Sequence, residues 1–85
     1  MEKRNVLIKS ADVENIITKF YFKEELLCFQ IILNLASQEK ILVGEFEDYV
    51  VYQQKFKDLI YLKKSGTDIY IKNAISLHNF VTVND

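Results

Sequence analysis

Residues 26–36 place the strongest constraint on how this chain can fold. Every second residue there is apolar: Leu27, Phe29, Ile31, Leu33 and Leu35. Residues two apart share one face of a β-strand, so this spacing predicts a strand with one fully apolar face. The opposite face mixes apolar and polar residues, which is typical of a central strand covered on one side and partly on the other. A run this apolar would also suit a buried helix.

Shorter segments elsewhere also carry strand patterns, with β-branched and aromatic residues or apolar alternation. They are residues 6–8, 16–22, 40–47, 68–72 and 75–83, the last interrupted by Asn79. Polar stretches between them predict turns, and the first would also suit one helical turn. These stretches are residues 10–15, 23–25, 37–39 and Asn73. We therefore expect five to six short strands.

Residues 48–65 predict the one clear helix. Its apolar residues fall on a single stripe, formed by Tyr49, Tyr52, Phe56, Leu59 and Ile60. Asp48 suits the N-cap, because its carboxylate can accept hydrogen bonds from the free amides of the first turn. Gly66 suits the left-handed C-cap. No β-α-β alternation is visible, so we expect an α+β fold: a mainly antiparallel β-meander with the helix packed on it.

Size and composition predict one packed domain over residues 1–85. The chain has 85 residues, of which 49% are hydrophobic and 27% charged, with a formal net charge of -1. It contains no proline and only two glycines, so no linker interrupts it. A domain this small buries a modest fraction of its surface, and association with a copy or a partner would add stability.

Few residues offer chemistry. One cysteine, Cys28, excludes an internal disulfide and a cysteine-based zinc site, and one histidine, His78, excludes a histidine pair. We expect Cys28 to be a buried structural residue and His78 to lie on the surface or an edge strand. The acidic residues Glu45, Glu47 and Asp48 precede the helix, where they favour its dipole. We therefore expect no enzymatic activity, no cofactor and no metal site.

The N-terminal sequence shows no targeting pattern. Its first five residues are mostly charged or polar, and the apolar run that follows ends at Lys9. A secretory signal needs roughly 7–15 consecutive apolar residues, and a membrane helix about 20. We expect a soluble cytoplasmic protein with no membrane partner.

The outer face of the helix and the strand after it form the candidate binding surface. Its residues are Gln54, Lys57, Tyr61, Lys64, Tyr70 and Lys72. Tyrosine is enriched at protein interfaces, which favours a protein partner. Lysines with interleaved tyrosines can also bind a nucleic-acid backbone, or they can simply solvate the helix. A single arginine and balanced charge make nucleic acid the less favoured partner.

Our leading hypothesis is therefore a small, cytoplasmic, non-enzymatic protein-interaction domain. A homodimer through an edge strand is one form of it, because no proline guards any edge. The hairpin arm 41–46 followed directly by a helix resembles small β-meander-plus-helix proteins of Gram-positive bacteria and their phages. A phage or mobile-element inhibitor or regulator of a host protein would fit this profile.

A second resemblance points to another function. Residues 72–76, preceded by residues 69–71, are similar to the second signature of the Sm-like proteins, and Gly44 is similar to the glycine of their second strand. The resemblance implies a small β-barrel, an RNA-binding ring subunit, and RNA contacts through Tyr70, Lys72 and Asn73. The family's histidine is replaced here by Asn73. The alternative is thus an Sm-like barrel without the helix predicted at 48–65.

Overall fold

A computed structural model describes residues 3–77, and within them one helix packs on a five-stranded antiparallel sheet. The strands are β1 (Arg4–Ile8), β2 (Val13–Lys23), β3 (Leu26–Leu35), β4 (Lys40–Phe46) and β5 (Ile69–Ser76). The helix, α1, spans Tyr49–Ser65, and a 3₁₀ turn at Ser10–Asp12 joins the first two strands. The spatial order is β1-β5-β4-β3-β2, so β1 and β2 are the two edges.

The predicted α+β fold is confirmed, and both structural alternatives are wrong. The apolar run at 26–36 forms β3 rather than a helix. The Sm-like barrel is also wrong, because the sheet of the described residues is not closed: β1 pairs only with β5, and β2 only with β3.

The end of the chain differs from the prediction of two strands separated by a turn at Asn73. Residues 69–76 form one strand, and Asn73 lies inside it with a φ of 57°. Pairing with β1 shifts between Val6–Ile71 and Arg4–Ala74, and the Oδ1 of Asn5 accepts the Asn73 amide at 3.1 Å. Asparagine tolerates the left-handed region, so the strand bulges here instead of turning. Of the predicted segment 75–83, the part from His78 onward, with Asn79, lies outside the described residues.

The β2–β3 hairpin is the longest paired unit. Its two-residue turn consists of Glu24 and Glu25, with φ values of 53° and 72°, the backbone of a type I′ turn. β2 has 11 residues and β3 has 10, whereas β4 has 7 and its last pair joins Phe46 to Phe29. The tip of the hairpin therefore extends beyond β4.

The caps predicted for α1 are both present. Asp48 Oδ1 accepts hydrogen bonds from the amides of Val50 at 2.8 Å and Val51 at 3.3 Å. Gly66 ends the helix in the left-handed conformation, with a φ of 74°. The buried hydroxyl of Ser10 hydrogen-bonds to the carbonyl oxygens of Leu62 and Thr67, which ties the 3₁₀ turn to the end of the helix.

The main core lies between the sheet and α1. Its fully buried side chains are Ile31, Leu33, Leu59, Ile69 and Ile71. On the opposite face of β3, Cys28 and Ile32 are also buried, with Cys28 only 1% exposed. The expectation of a buried Cys28 is therefore confirmed.

Candidate protein-interaction surface

An aromatic cluster joins the first turns of α1 to the sheet, with Tyr52 at its centre. The Tyr52 ring stacks on Phe29, with 4.7 Å between ring centroids, and lies 6.3 Å from Phe56 in a second stacked contact. Edge and tilted contacts at 5.9–6.5 Å link it to Tyr49, Phe20 and Phe46. Tyr52 and Phe29 are buried, so this half of the cluster belongs to the core.

The other half of the cluster faces outward. Phe20 contacts Phe29 edge-on at 5.6 Å, yet its side chain is 61% exposed. Phe22, one step further along the same strand face, is 73% exposed and pairs with Leu27. Tyr49 lies 5.6 Å from Phe29 and is also exposed. We call Phe20, Phe22, Leu27 and Tyr49 the aromatic patch.

The patch is exposed because of where the elements end. The hairpin tip extends beyond β4, and α1 begins only at Tyr49. Neither β4 nor α1 therefore covers the last residues of β2. Grouped, exposed apolar side chains on a small domain mark an interaction site more often than single ones do. Two phenylalanines on a strand and a tyrosine on a helix also form a rigid surface, because their neighbours Phe29 and Tyr52 are packed in the core.

Four of the predicted binding residues lie on the outer side of α1. Gln54, Lys57, Tyr61 and Lys64 are all exposed. Three of them, Lys57, Tyr61 and Lys64, line a shallow groove together with Phe56 and Ile60. The structure therefore brings these helix residues together, although their role in binding stays a prediction.

Tyr70 and Lys72 lie elsewhere. Their neighbours Ile69 and Ile71 are buried in the core beneath α1, and alternate residues of a strand point to opposite faces. Tyr70 and Lys72 therefore point away from the helix, and Lys72 lines a different depression with Leu42. The six predicted residues thus form two separate surfaces.

Phe20 and Phe22 belong to the strand predicted at 16–22, but the sequence pattern did not identify them as surface residues. Ile16 and Thr18 lie on the same strand face as Phe20 and Phe22, and a face with this apolar pattern is usually buried along its whole length. Strand length gave no signal in the sequence, because the strand predicted at 16–22 is no longer than the one predicted at 40–47. The overhang appears only in the structure, where β2 and β3 are longer than β4.

Comparison with protein-family models, with curated proteins and with solved structures gave no match. Within residues 3–77, no group of three or more histidine, cysteine, aspartate or glutamate side chains is arranged to hold a metal ion. In the same part of the chain, α1 is not long and apolar enough to cross a membrane.

Proposed function

We propose that this chain is a small non-enzymatic protein-interaction domain and that the aromatic patch is its main contact surface. The observation that carries the proposal is the exposure of Phe20 and Phe22 directly beside a buried aromatic cluster. Large aromatic side chains on a rigid support supply most of the binding energy in many interfaces. In this proposal the interaction takes place in the cytoplasm, whose reducing conditions suit the free Cys28 thiol.

The outer face of α1 is a second contact region in this proposal. Tyr61 is 69% exposed, and the apolar side chains of Phe56 and Ile60 form the floor of the groove beside it. The lysines around the groove would favour an acidic rim on the partner. A regulator or inhibitor of a host protein would act by occupying a surface of that protein. Self-association through an edge strand is a further form of the same function.

A matched pair of variants tests the patch. Phe22→Ala and Tyr61→Ala each remove one exposed aromatic ring, the first from the patch and the second from the helix face. The wild-type protein and both variants are immobilised and exposed to an extract of the source cells. Retained proteins are identified by mass spectrometry, and binding is then measured with purified components.

A partner that Phe22→Ala binds at least about 10-fold more weakly than the wild type does, with a smaller loss for Tyr61→Ala, would support the patch as the main contact surface. Equal binding by all three proteins would overturn its assignment as the contact surface. Light scattering with absorbance at 260 and 280 nm, at low and high salt, checks the RNA alternative in the same preparation. A six- or seven-chain ring with salt-sensitive nucleic acid bound would overturn the proposed function.

A further inference from the structure

We propose that the outer edge of β2 pairs with β2 of a second copy of this chain, antiparallel, about a two-fold axis at Thr18. The inference rests on the proposed function and names a partner for the surface around the aromatic patch. It joins the two five-stranded sheets into one continuous sheet, with both helices on the same face.

The first support is the backbone of β2. Lys23 and Leu26 flank a two-residue type I′ turn, so they form a hydrogen-bonded pair. Hydrogen-bonded and non-hydrogen-bonded pairs alternate along an antiparallel ladder. The amides and carbonyls that point away from β3 therefore belong to Ile16, Thr18, Phe20 and Phe22. Within residues 3–77 no other strand pairs with this side of β2, so these residues present a regular row of donors and acceptors along an edge of 11 residues.

The second support is the register. Thr18 is the midpoint of Val13–Lys23, so an axis at Thr18 centres the pairing on the strand. In this register Thr18 lies opposite Thr18 and Ile16 lies opposite Phe20 of the second copy. Three of the four residues with outward backbone groups, Ile16, Thr18 and Phe20, then pair with one another as an antiparallel ladder requires, whereas Phe22 lies opposite Glu14. An axis at Lys19 would place two lysines directly opposite each other, which is unfavourable, so Lys19 selects against that register.

The third support is the contact between α1 and β2. The ring centroids of Tyr52 and Phe20 lie 6.4 Å apart, so the start of the helix packs on the face of β2 that carries Phe20. In the dimer, Phe20 lies beside Ile16 of the second copy on this face.

The exposed aromatic rings supply part of the area that a specific dimer buries. A fully buried aromatic side chain removes about 150–250 Å² from water, so Phe20 and Phe22 of both copies could contribute roughly 500 Å². The paired backbone edges add to this. Specific interfaces bury about 1,200–2,000 Å² in total. The other edge, β1, has only five residues, which favours β2 as the pairing edge.

The test uses the full chain with two variants of Thr18. Proline at an edge position whose amide points outward is tolerated in the monomer but removes the central hydrogen bonds of the dimer. Thr18→Val is the control, because it keeps the amide. We expect sedimentation equilibrium to show a dimer for the wild type and Thr18→Val. Thr18→Pro should raise the dissociation constant by about 100-fold or more while the circular dichroism spectrum stays unchanged.

Disulfide formation tests the register. Thr18→Cys places two thiols across the axis, about 5.5 Å apart at Cα, and should cross-link on mild oxidation. Asn15→Cys is the control, because the two thiols would be about 20 Å apart along the paired strands. The native Cys28 is common to both variants and buried.

A folded wild-type monomer at millimolar concentration would overturn the dimer. A dimer that survives Thr18→Pro, or that cross-links equally well through Asn15→Cys, would overturn this interface. The partner-binding experiment with Phe22→Ala then decides the proposed function separately. A monomer whose patch binds another protein overturns the dimer alone, whereas a monomer whose patch binds no protein overturns both.

Discussion

The rings of Tyr52 and Phe29 lie almost parallel, with 17° between their planes and 4.7 Å between their centroids. Tyr52 lies near the start of α1 and Phe29 lies in β3, so the stack attaches the start of the helix to the sheet. It also separates the buried aromatic residues from the exposed ones, because Phe20 and Tyr49 contact its outer side.

We expect Tyr52→Ala to lower the free energy of unfolding by about 3 kcal/mol, because it removes a buried ring and leaves a cavity. Tyr61→Ala is the control on the same helix, and it should change the free energy by less than about 0.5 kcal/mol because Tyr61 is exposed. Urea denaturation followed by circular dichroism measures both. Equal effects of the two variants would contradict the central role of Tyr52.

The hairpin turn offers a stabilising substitution. Glu24 and Glu25 both adopt positive φ, whereas type I′ turns favour Asn followed by Gly. The double variant Glu24→Asn, Glu25→Gly should raise the free energy of unfolding by about 1 kcal/mol, because it relieves steric cost in the left-handed region. Thermal denaturation measures the gain. Glu24→Gln with Glu25→Gln removes the same charges without relieving the backbone, so an equal gain there would assign the effect to charge.

The N-cap of α1 gives a third prediction. Asp48→Ala removes the acceptor of the Val50 and Val51 amides and should cost about 1 kcal/mol of stability. Asp58→Ala removes an exposed carboxylate from the middle of the same helix and should have a smaller effect. Urea denaturation of the two variants side by side distinguishes the cap from a general effect of charge.

The thiol of Cys28 reports on opening of the sheet. Since it is 1% exposed, a thiol reagent should react with it only as fast as the surrounding structure opens. The labelling rate should therefore rise with urea in parallel with unfolding. Rapid labelling of the native protein, at the rate of the urea-unfolded chain, would show that the face of β3 carrying Cys28 is accessible.

Features with a local cause could be predicted from the sequence. The N-cap Asp48, the C-cap Gly66 and the alternation that forms β3 each depend on neighbouring residues, and the structure has all three. The position of β5 between β1 and β4 depends on long-range packing, which a single sequence does not display. Asn73 combines a local and a long-range cause. The tolerance of asparagine for the left-handed region could be predicted from the residue type, but its hydrogen bond with Asn5 could not.

The candidate binding residues divide in the same way. The exposed side of α1 followed from helical periodicity, and Lys57 and Tyr61 lie on it. Phe22 is exposed because β4 stops short of the hairpin tip, and this depends on the relative lengths of three strands. Tyr70 was grouped with the helix residues because it is near them in the sequence, but strand alternation turns it to the opposite face.

The pairing of Ile8 with Ile69 also has a consequence for the order in which the chain folds during synthesis. β1 cannot complete its hydrogen bonding until the ribosome has released β5, whereas β2 and β3 are joined by a two-residue turn and can pair as soon as they emerge. The hairpin is therefore expected to form first. A nascent chain would present Phe20 and Phe22 to chaperones, or to an identical hairpin on a neighbouring ribosome, before its own N-terminal strand has a partner.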